Sequence, residues 1–168
     1  MSEILARRSA VQPATATRPR LGFLSVGWIG RRRMEAIAKS GIAEISAIAD
    51  PMPAAAAQAA SIAPGAAVMA SLSDLLELDL DGISIATPSA LHAEQAIAAL
   101  ERGLAVFCQK PLARTADETR RVVEAARRAD RLLEVDLSYR FTSGIKKITE
   151  LARAGAPRQH LRRRSYLS

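Results

Sequence analysis

A single cysteine occurs among the 168 residues, so no intrachain disulfide can form and the chain fits a reducing cytoplasm. No apolar run approaches the roughly 18 residues that a helix needs to cross a bilayer, so no membrane is expected as a partner. Residues 1–19 have no long apolar stretch of the secretory kind. They are rich in Ala, Arg, Thr and Pro without apolar periodicity, and read as a disordered leader. An Arg-rich transit peptide would need the periodicity they do not have, and would not carry Glu3. Nor does the body hold a surplus of positive charge. The formal charge is +7, but residues 1–20 carry a net +3 and residues 151–168 a net +5, which leaves −1 for residues 21–150. A basic groove is therefore not supported, and nucleic acid is not an expected partner. The apolar content of 49% suits one globular domain with a sizeable core, at a length short for two.

The stretch Leu21 to Arg33 organises the rest. An apolar strand, Gly22 to Val26, ends in a glycine turn, and a helical pattern runs from Trp28 to about Ser40 with Ile29, Met34, Ile37 and Ala38 on its buried side. The dinucleotide fingerprint G-x-G-x-x-G falls on Ser25-Val26-Gly27-Trp28-Ile29-Gly30, with Ser in the first position. Gly27 stands where backbone approaches a pyrophosphate, and Gly30 where helix packs on strand. Ser25 must make the turn without glycine's freedom, at a cost in strain if its φ is positive. The unpaired N–H groups of a helix start, with the macrodipole, favour an anion there. Two glycines by themselves also fit a βα turn that binds nothing.

Gly41 closes this helix, and Ala43 to Ala49 reads as a second strand ending in Asp50. Asp50 lies twenty residues after Gly30, where the fingerprint places an acid on the ribose hydroxyls. A carboxylate there repels a 2′-phosphate and favours NAD over NADP. Before Pro51 it also fits a simple turn former. Arg31, Arg32 and Arg33 fit either a solvated helix face or, for one of them, a 2′-phosphate contact.

Strands and helices then alternate. A helix over Pro53 to Ile62 precedes a short strand, Ala67 to Met69, and Ser71 caps a short helix. Gly82 to Ala86 is an apolar strand of the type buried on both faces, followed by Thr87-Pro88-Ser89 and a helix, Ala90 to Arg102, ending at Gly103. Leu104 to Cys108 is a fifth strand with Gln109-Lys110-Pro111 at its end. Thr115 to Glu118 reads as a capping box opening a helix to Ala129. Leu132 to Val135 is a sixth strand, and Phe141 to Ala154 a last amphipathic helix with Ile145, Ile148 and Leu151 on one face. The alternation predicts an α/β doubly wound parallel sheet over residues 20–154. Ser25–Gly30, Asp50, Thr87–Pro88, Gln109–Lys110 and Tyr139–Arg140 all follow strand ends, the edge where such sheets hold ligands.

Four segments resemble the N-terminal half of the glucose–fructose oxidoreductase / inositol dehydrogenase (Gfo/Idh/MocA) family. They are Gly27-Trp28-Ile29-Gly30-Arg31, Asp50-Pro51, Ala86-Thr87-Pro88-Ser89-Ala90-Leu91-His92 and Cys108-Gln109-Lys110-Pro111-Leu112. The resemblance covers about residues 20 to 155. It implies a Rossmann-type domain binding nicotinamide dinucleotide, NAD before NADP, and a sugar or cyclic polyol as substrate. It implies that Thr87 and Pro88 lie along the nicotinamide end, and that Lys110, from the family's Glu-Lys-Pro motif, meets the substrate hydroxyl as the catalytic group. Gln109 stands in place of that motif's Glu; it can hydrogen-bond but cannot balance the lysine's charge. His92 is placed near the cofactor pocket, with a structural hydrogen-bonding role equally open. Tyr139 and Arg140 match a segment facing the cleft, with surface packing as the other account. With these, the expected cofactor contacts are Gly27, Trp28, Ile29, Gly30, Asp50, Thr87, Pro88, His92, Gln109 and Arg140, with no metal ligands. Cys108 is expected to be a buried strand residue.

The family continues into a second, α+β substrate domain, which this sequence does not contain. Residues 155–168 change abruptly to a basic stretch with neither strand nor helix periodicity, expected to reflect a frameshift or premature stop, or else a basic tail that contacts a partner. The expected function is thus the NAD(P)-binding domain of an oxidoreductase with little activity alone. The alternatives are a non-catalytic, nucleotide-binding regulatory module and a basic-tailed interaction protein. Apolar surface left without the second domain would favour a homo-oligomer.

Overall fold

Six short apolar segments of the computed structural model, which describes residues 18–154, line up as one sheet. They are β1 (Arg20–Leu24), β2 (Glu44–Ala49), β3 (Ala67–Met69), β4 (Gly82–Ile85), β5 (Ala105–Gln109) and β6 (Leu133–Asp136). Their order is β3-β2-β1-β4-β5-β6, and every neighbouring pair is parallel. The helices between them are α1 (Trp28–Ser40), α2 (Pro53–Ala60), α3 (Leu72–Leu76), α4 (Ser89–Glu101) and α5 (Ala116–Ala129). This is the doubly wound Rossmann arrangement. The order reverses between β1 and β4, which opens a crevice at the carboxyl edge there. The leader and the basic tail expected from the sequence lie, apart from residues 18 and 19, outside the described residues. No described helix is long and apolar enough to cross a membrane.

Side chains alternate across the sheet and feed two cores. Phe23, Ile45 and Ile48 join Val26, Met34 and Ala59 on the face covered by α1 and α2. Leu24, Ala47, Ile85, Val106 and Cys108 join Ala96, Leu100, Val122 and Ala125 on the face covered by α4 and α5. All four residues of β4 are buried, as a continuous apolar run in mid-sheet requires. Gly41 (φ 65°) and Gly103 (φ 81°) end α1 and α4 in the left-handed region that glycine enters at no steric cost.

The differences from expectation sit at element ends. β1 stops at Leu24, two residues early, because the chain already turns at Ser25 and the Val26 N–H leaves the ladder for a side chain. At α5, Thr115 accepts from the Glu118 N–H, but the Glu118 carboxylate turns to the N–H of Arg114, so only half of the capping box forms. The last helix starts two residues later than expected. A 3-10 turn, Ser138–Phe141, precedes α6 (Ser143–Arg153), and Thr142 between them donates its hydroxyl to the Tyr139 carbonyl. No residue of α6 is buried; Ile145, Ile148 and Leu151 face outward.

Candidate functional site

The glycine turn is built by its neighbours. Ser25 has φ +66°, the left-handed conformation that a glycine in the fingerprint's first position would adopt freely. Its N–H donates to the Ala49 carbonyl at 2.8 Å. The next N–H, of Val26, donates to Asp50 Oδ2 at 2.8 Å, and the Met52 N–H donates to Asp50 Oδ1 at 2.9 Å. The buried Asp50 carboxylate therefore ties the end of β2 to the turn after β1. Asp50 forms its own turn, and each oxygen keeps lone-pair capacity for a further donor.

Gly27 precedes α1, which has no side-chain cap and no acid in its first turn. The first bond back to it comes from the Arg31 N–H at 2.9 Å, so the N–H groups of Trp28, Ile29 and Gly30 have no acceptor inside the helix. The two glycines do different work. A Cβ on Gly30 would run into the Ser25 carbonyl, so this position needs glycine to bring helix and turn together. A Cβ on Gly27 would meet no atom within 4 Å, and its φ of −57° suits any residue. Packing does not require glycine at Gly27. What the missing side chain leaves clear is room beside free N–H groups, the fit a pyrophosphate needs.

Two clefts open on this edge. One, of about 680 Å³, is lined by Ser25, Gly27, Asp50, Met52, Thr87 and Pro88 among others. The second, of about 650 Å³, is lined by Ile29, Gln109, Lys110, Asp136, Tyr139 and Arg140 among others. The start of α1 separates them. Of the residues singled out from sequence, Gly27, Asp50, Thr87 and Pro88 share the first cleft, and Ile29, Gln109, Lys110 and Arg140 the second. Trp28, Gly30 and His92 line neither. The Trp28 side chain is 67% exposed, and Gly30 is buried under the turn.

His92 stands behind the clefts. It is 1% exposed, with Nδ1 2.7 Å from the Pro111 carbonyl oxygen and Nε2 2.7 Å from that of Thr87. The expected cofactor contact is therefore corrected: both ring nitrogens are occupied by the protein. Its place near the pocket is real, because it joins the Thr87-Pro88 segment to the Lys110-Pro111 segment. Thr87 in turn donates its hydroxyl to Gln95 Oε1 at 2.5 Å. Cys108 is fully buried and its thiol is pushed up to about 12, by burial first, with the positive charge of Arg33 opposing. It is a core residue, not a nucleophile.

The arginine run is not one surface. Arg32 is solvated and pairs with Glu35 at 3.4 Å, and Arg31 donates to Gln58 Oε1 at 2.6 Å. Arg33 turns inward. Its side chain is 8% exposed, lies 4.8 Å from the Phe107 ring centroid, pairs with Asp136 and donates to Gln109 Oε1 at 2.8 Å. The sequence suggested a solvated face or a 2′-phosphate contact for Arg33, and gave no sign of its inward turn or of Asp136. The available signal was position: Arg33 follows Gly30 by three residues, on the side of α1 that faces the sheet. Burial by itself would raise the Asp136 carboxyl, but the hydrogen bond and charge of Arg33, helped by Ser138, outweigh it and hold it below the usual range.

Comparison with known proteins agrees with this geometry. Residues 20–137 match an oxidoreductase family with an NAD-binding Rossmann fold, the Gfo/Idh/MocA family. The chain is similar to the rhizopine catabolism protein MocA of Rhizobium meliloti, 34% identical over 83% of this chain and 44% of that one. It is also similar to inositol 2-dehydrogenase 3 of Saccharopolyspora erythraea, 37% identical over 81% of this chain and 41% of that one. The crystal structure of the WlbA dehydrogenase of Bordetella pertussis in complex with NADH and UDP-GlcNAcA superposes with a TM-score of 0.78 at 32% identity, covering 85% of this chain and 42% of that one. The chain thus spans less than half the length of the relatives it matches.

Proposed function

This chain belongs to the Gfo/Idh/MocA family of NAD-binding oxidoreductases, and from that premise we propose that its first cleft holds NAD(H) and its second serves a sugar or cyclic polyol. The pyrophosphate rests on the N–H groups of Trp28, Ile29 and Gly30. Asp50 accepts from the ribose hydroxyls. Thr87 and Pro88 border the dinucleotide on the far wall. NAD is favoured over NADP because the Asp50 carboxylate faces the position of a 2′-phosphate, and none of Arg31, Arg32 and Arg33 lines that cleft. Relatives include an inositol 2-dehydrogenase and a dehydrogenase whose structure is in complex with UDP-GlcNAcA, which supports a carbohydrate-like substrate.

Bound nicotinamide supplies the hydride acceptor or donor. The chain's own contribution is to place groups. Lys110 Nζ, exposed at the end of β5, donates a hydrogen bond to the substrate oxygen and offsets negative charge that develops on it. Ile29 and Tyr139 add apolar surface to the cleft lining, and Arg140 adds a second cation.

The observation that carries the proposal is the space at Gly27. Replacing Gly27 by Val builds into it from a Cβ that meets no protein atom within 4 Å. NADH titrated calorimetrically into the parent chain should bind, and the Gly27→Val chain, with an unchanged unfolding midpoint, should bind at least roughly tenfold more weakly, about 1.4 kcal/mol. Equal affinity in the two chains would remove the glycine turn from the site. Turnover with NAD on a polyol and sugar panel, compared with Lys110→Met, tests the catalytic assignment.

A further inference from the structure

Arg33 is the most deeply buried cation in the molecule's carboxyl edge, and it joins three elements. It leaves α1, stacks on Phe107 of β5, donates to Gln109 at the end of β5 and pairs with Asp136 at the end of β6. Phe107 and Gln109 are two apart on one strand, so they share the sheet face on which α1 lies. Gln109 and Asp136 are register partners across the β5–β6 ladder. A guanidinium has only donors, so the Gln109 amide must present its oxygen to Arg33 and turn its NH₂ away. That NH₂ has no hydrogen-bond partner among the described residues.

We infer that Arg33 is a positioning residue for the Gln109-Lys110 corner, and that Asp136 supplies the countercharge to Arg33 in place of an acid at position 109. The carboxylate has moved one strand sideways, in register, and the guanidinium spans the gap. The corner is thereby fixed to α1, the helix that also carries the glycine turn. This part rests on the assignment of Lys110 to the substrate cleft; the relocated countercharge does not. Leaving Arg33 without Asp136 would strand a buried charge, which is costly even where the pair itself adds little.

A charge relocation on the full chain tests this. Asp136→Asn should lower the thermal midpoint by roughly 10 °C. Adding Gln109→Glu to it should recover most of the loss, because the acid returns beside the same guanidinium. Gln109→Glu by itself, with two acids for one cation, should not stabilise. The positioning role is read separately, on the four lysines of the chain, by reductive ¹³C-methylation and NMR at fixed pH. The Lys110 signal, identified by its loss in Lys110→Arg, should be displaced in Asp136→Asn while those of Lys39, Lys146 and Lys147 stay, and should return in the double variant. If Asp136→Asn does not fold, a folded double variant with the parent's Lys110 signal supports the inference, and an unfolded one overturns it. A double variant that melts with Asp136→Asn, or a Lys110 signal that ignores the loss of Asp136, also overturns it. No nucleotide is present in these measurements, so failure of NADH to bind would count against the proposed function alone.

Discussion

His92 Nδ1 lies 2.7 Å from the carbonyl oxygen of Pro111, which fastens the start of α4 to the far side of the Lys110 corner. The other ring nitrogen reaches the Thr87 carbonyl. A carbonyl oxygen only accepts, so the tautomer decides which of the two contacts is a donated N–H. His92→Leu keeps the volume and leaves two inward-facing carbonyls without this donor. A loss of about 2–4 kcal/mol in urea unfolding is expected. A loss under about 1 kcal/mol would mean that the two segments hold their positions without the ring.

The two glycines of the turn should respond oppositely to the same methyl group. Gly30→Ala pushes a Cβ against the Ser25 carbonyl, a backbone atom that cannot swing aside. It should cost roughly 2–3 kcal/mol. Gly27→Ala adds its Cβ to open space and should stay within about 0.5 kcal/mol of the parent. Denaturant midpoints of the pair, measured side by side, decide whether the turn is packed as described.

Ser25 should be improvable. Its φ of +66° is costly for a residue with a Cβ. Ser25→Gly removes that strain but frees the unfolded chain, for a net gain of about 0.5–1 kcal/mol. Ser25→Val, branched at Cβ, should lose roughly 2 kcal/mol. If both variants unfold at the parent's denaturant midpoint, the turn does not strain residue 25.

Acid should find two named carboxylates. Asp136 is held low by Arg33 against the effect of burial, and Glu118 is held low by the side-chain hydrogen bond from Arg114 and then by the Arg114 N–H. A carboxylate whose pKa is depressed by folding stabilises fully above its unfolded value and loses that contribution as pH falls through the folded value. The unfolding midpoint should be flat near neutrality and fall below about pH 4. Glu118→Gln should make the fall shallower. A parent and variant with superimposable acid limbs would show that the pair does not persist in solution.

Much of this architecture could be read before any coordinates. Strand and helix alternation is a strong signal because β2, β3 and β5 are flanked by a turn residue or a cap: Gly41, Ser71, Gly103, Thr115. The strained turn followed from a serine standing where the glycine pattern begins. The failures have physical causes. A run of three arginines looks alike in sequence whether solvated or buried, and only the helix phase set by Gly30 and Met34 tells Arg33 from Arg32. Asp136 passed unnoticed because its partner is 103 residues away. His92 was placed in the right neighbourhood, but sequence cannot say which way a ring points. The 3-10 turn at Ser138–Phe141 takes in Phe141, which its apolar side chain had placed at the start of α6.

One feature of the edge constrains what shape of molecule it can accept. Gly27 belongs to one hollow and Ile29, two residues on, to the other. A guest in one hollow and a guest in the other are therefore parted by less than one turn of helix.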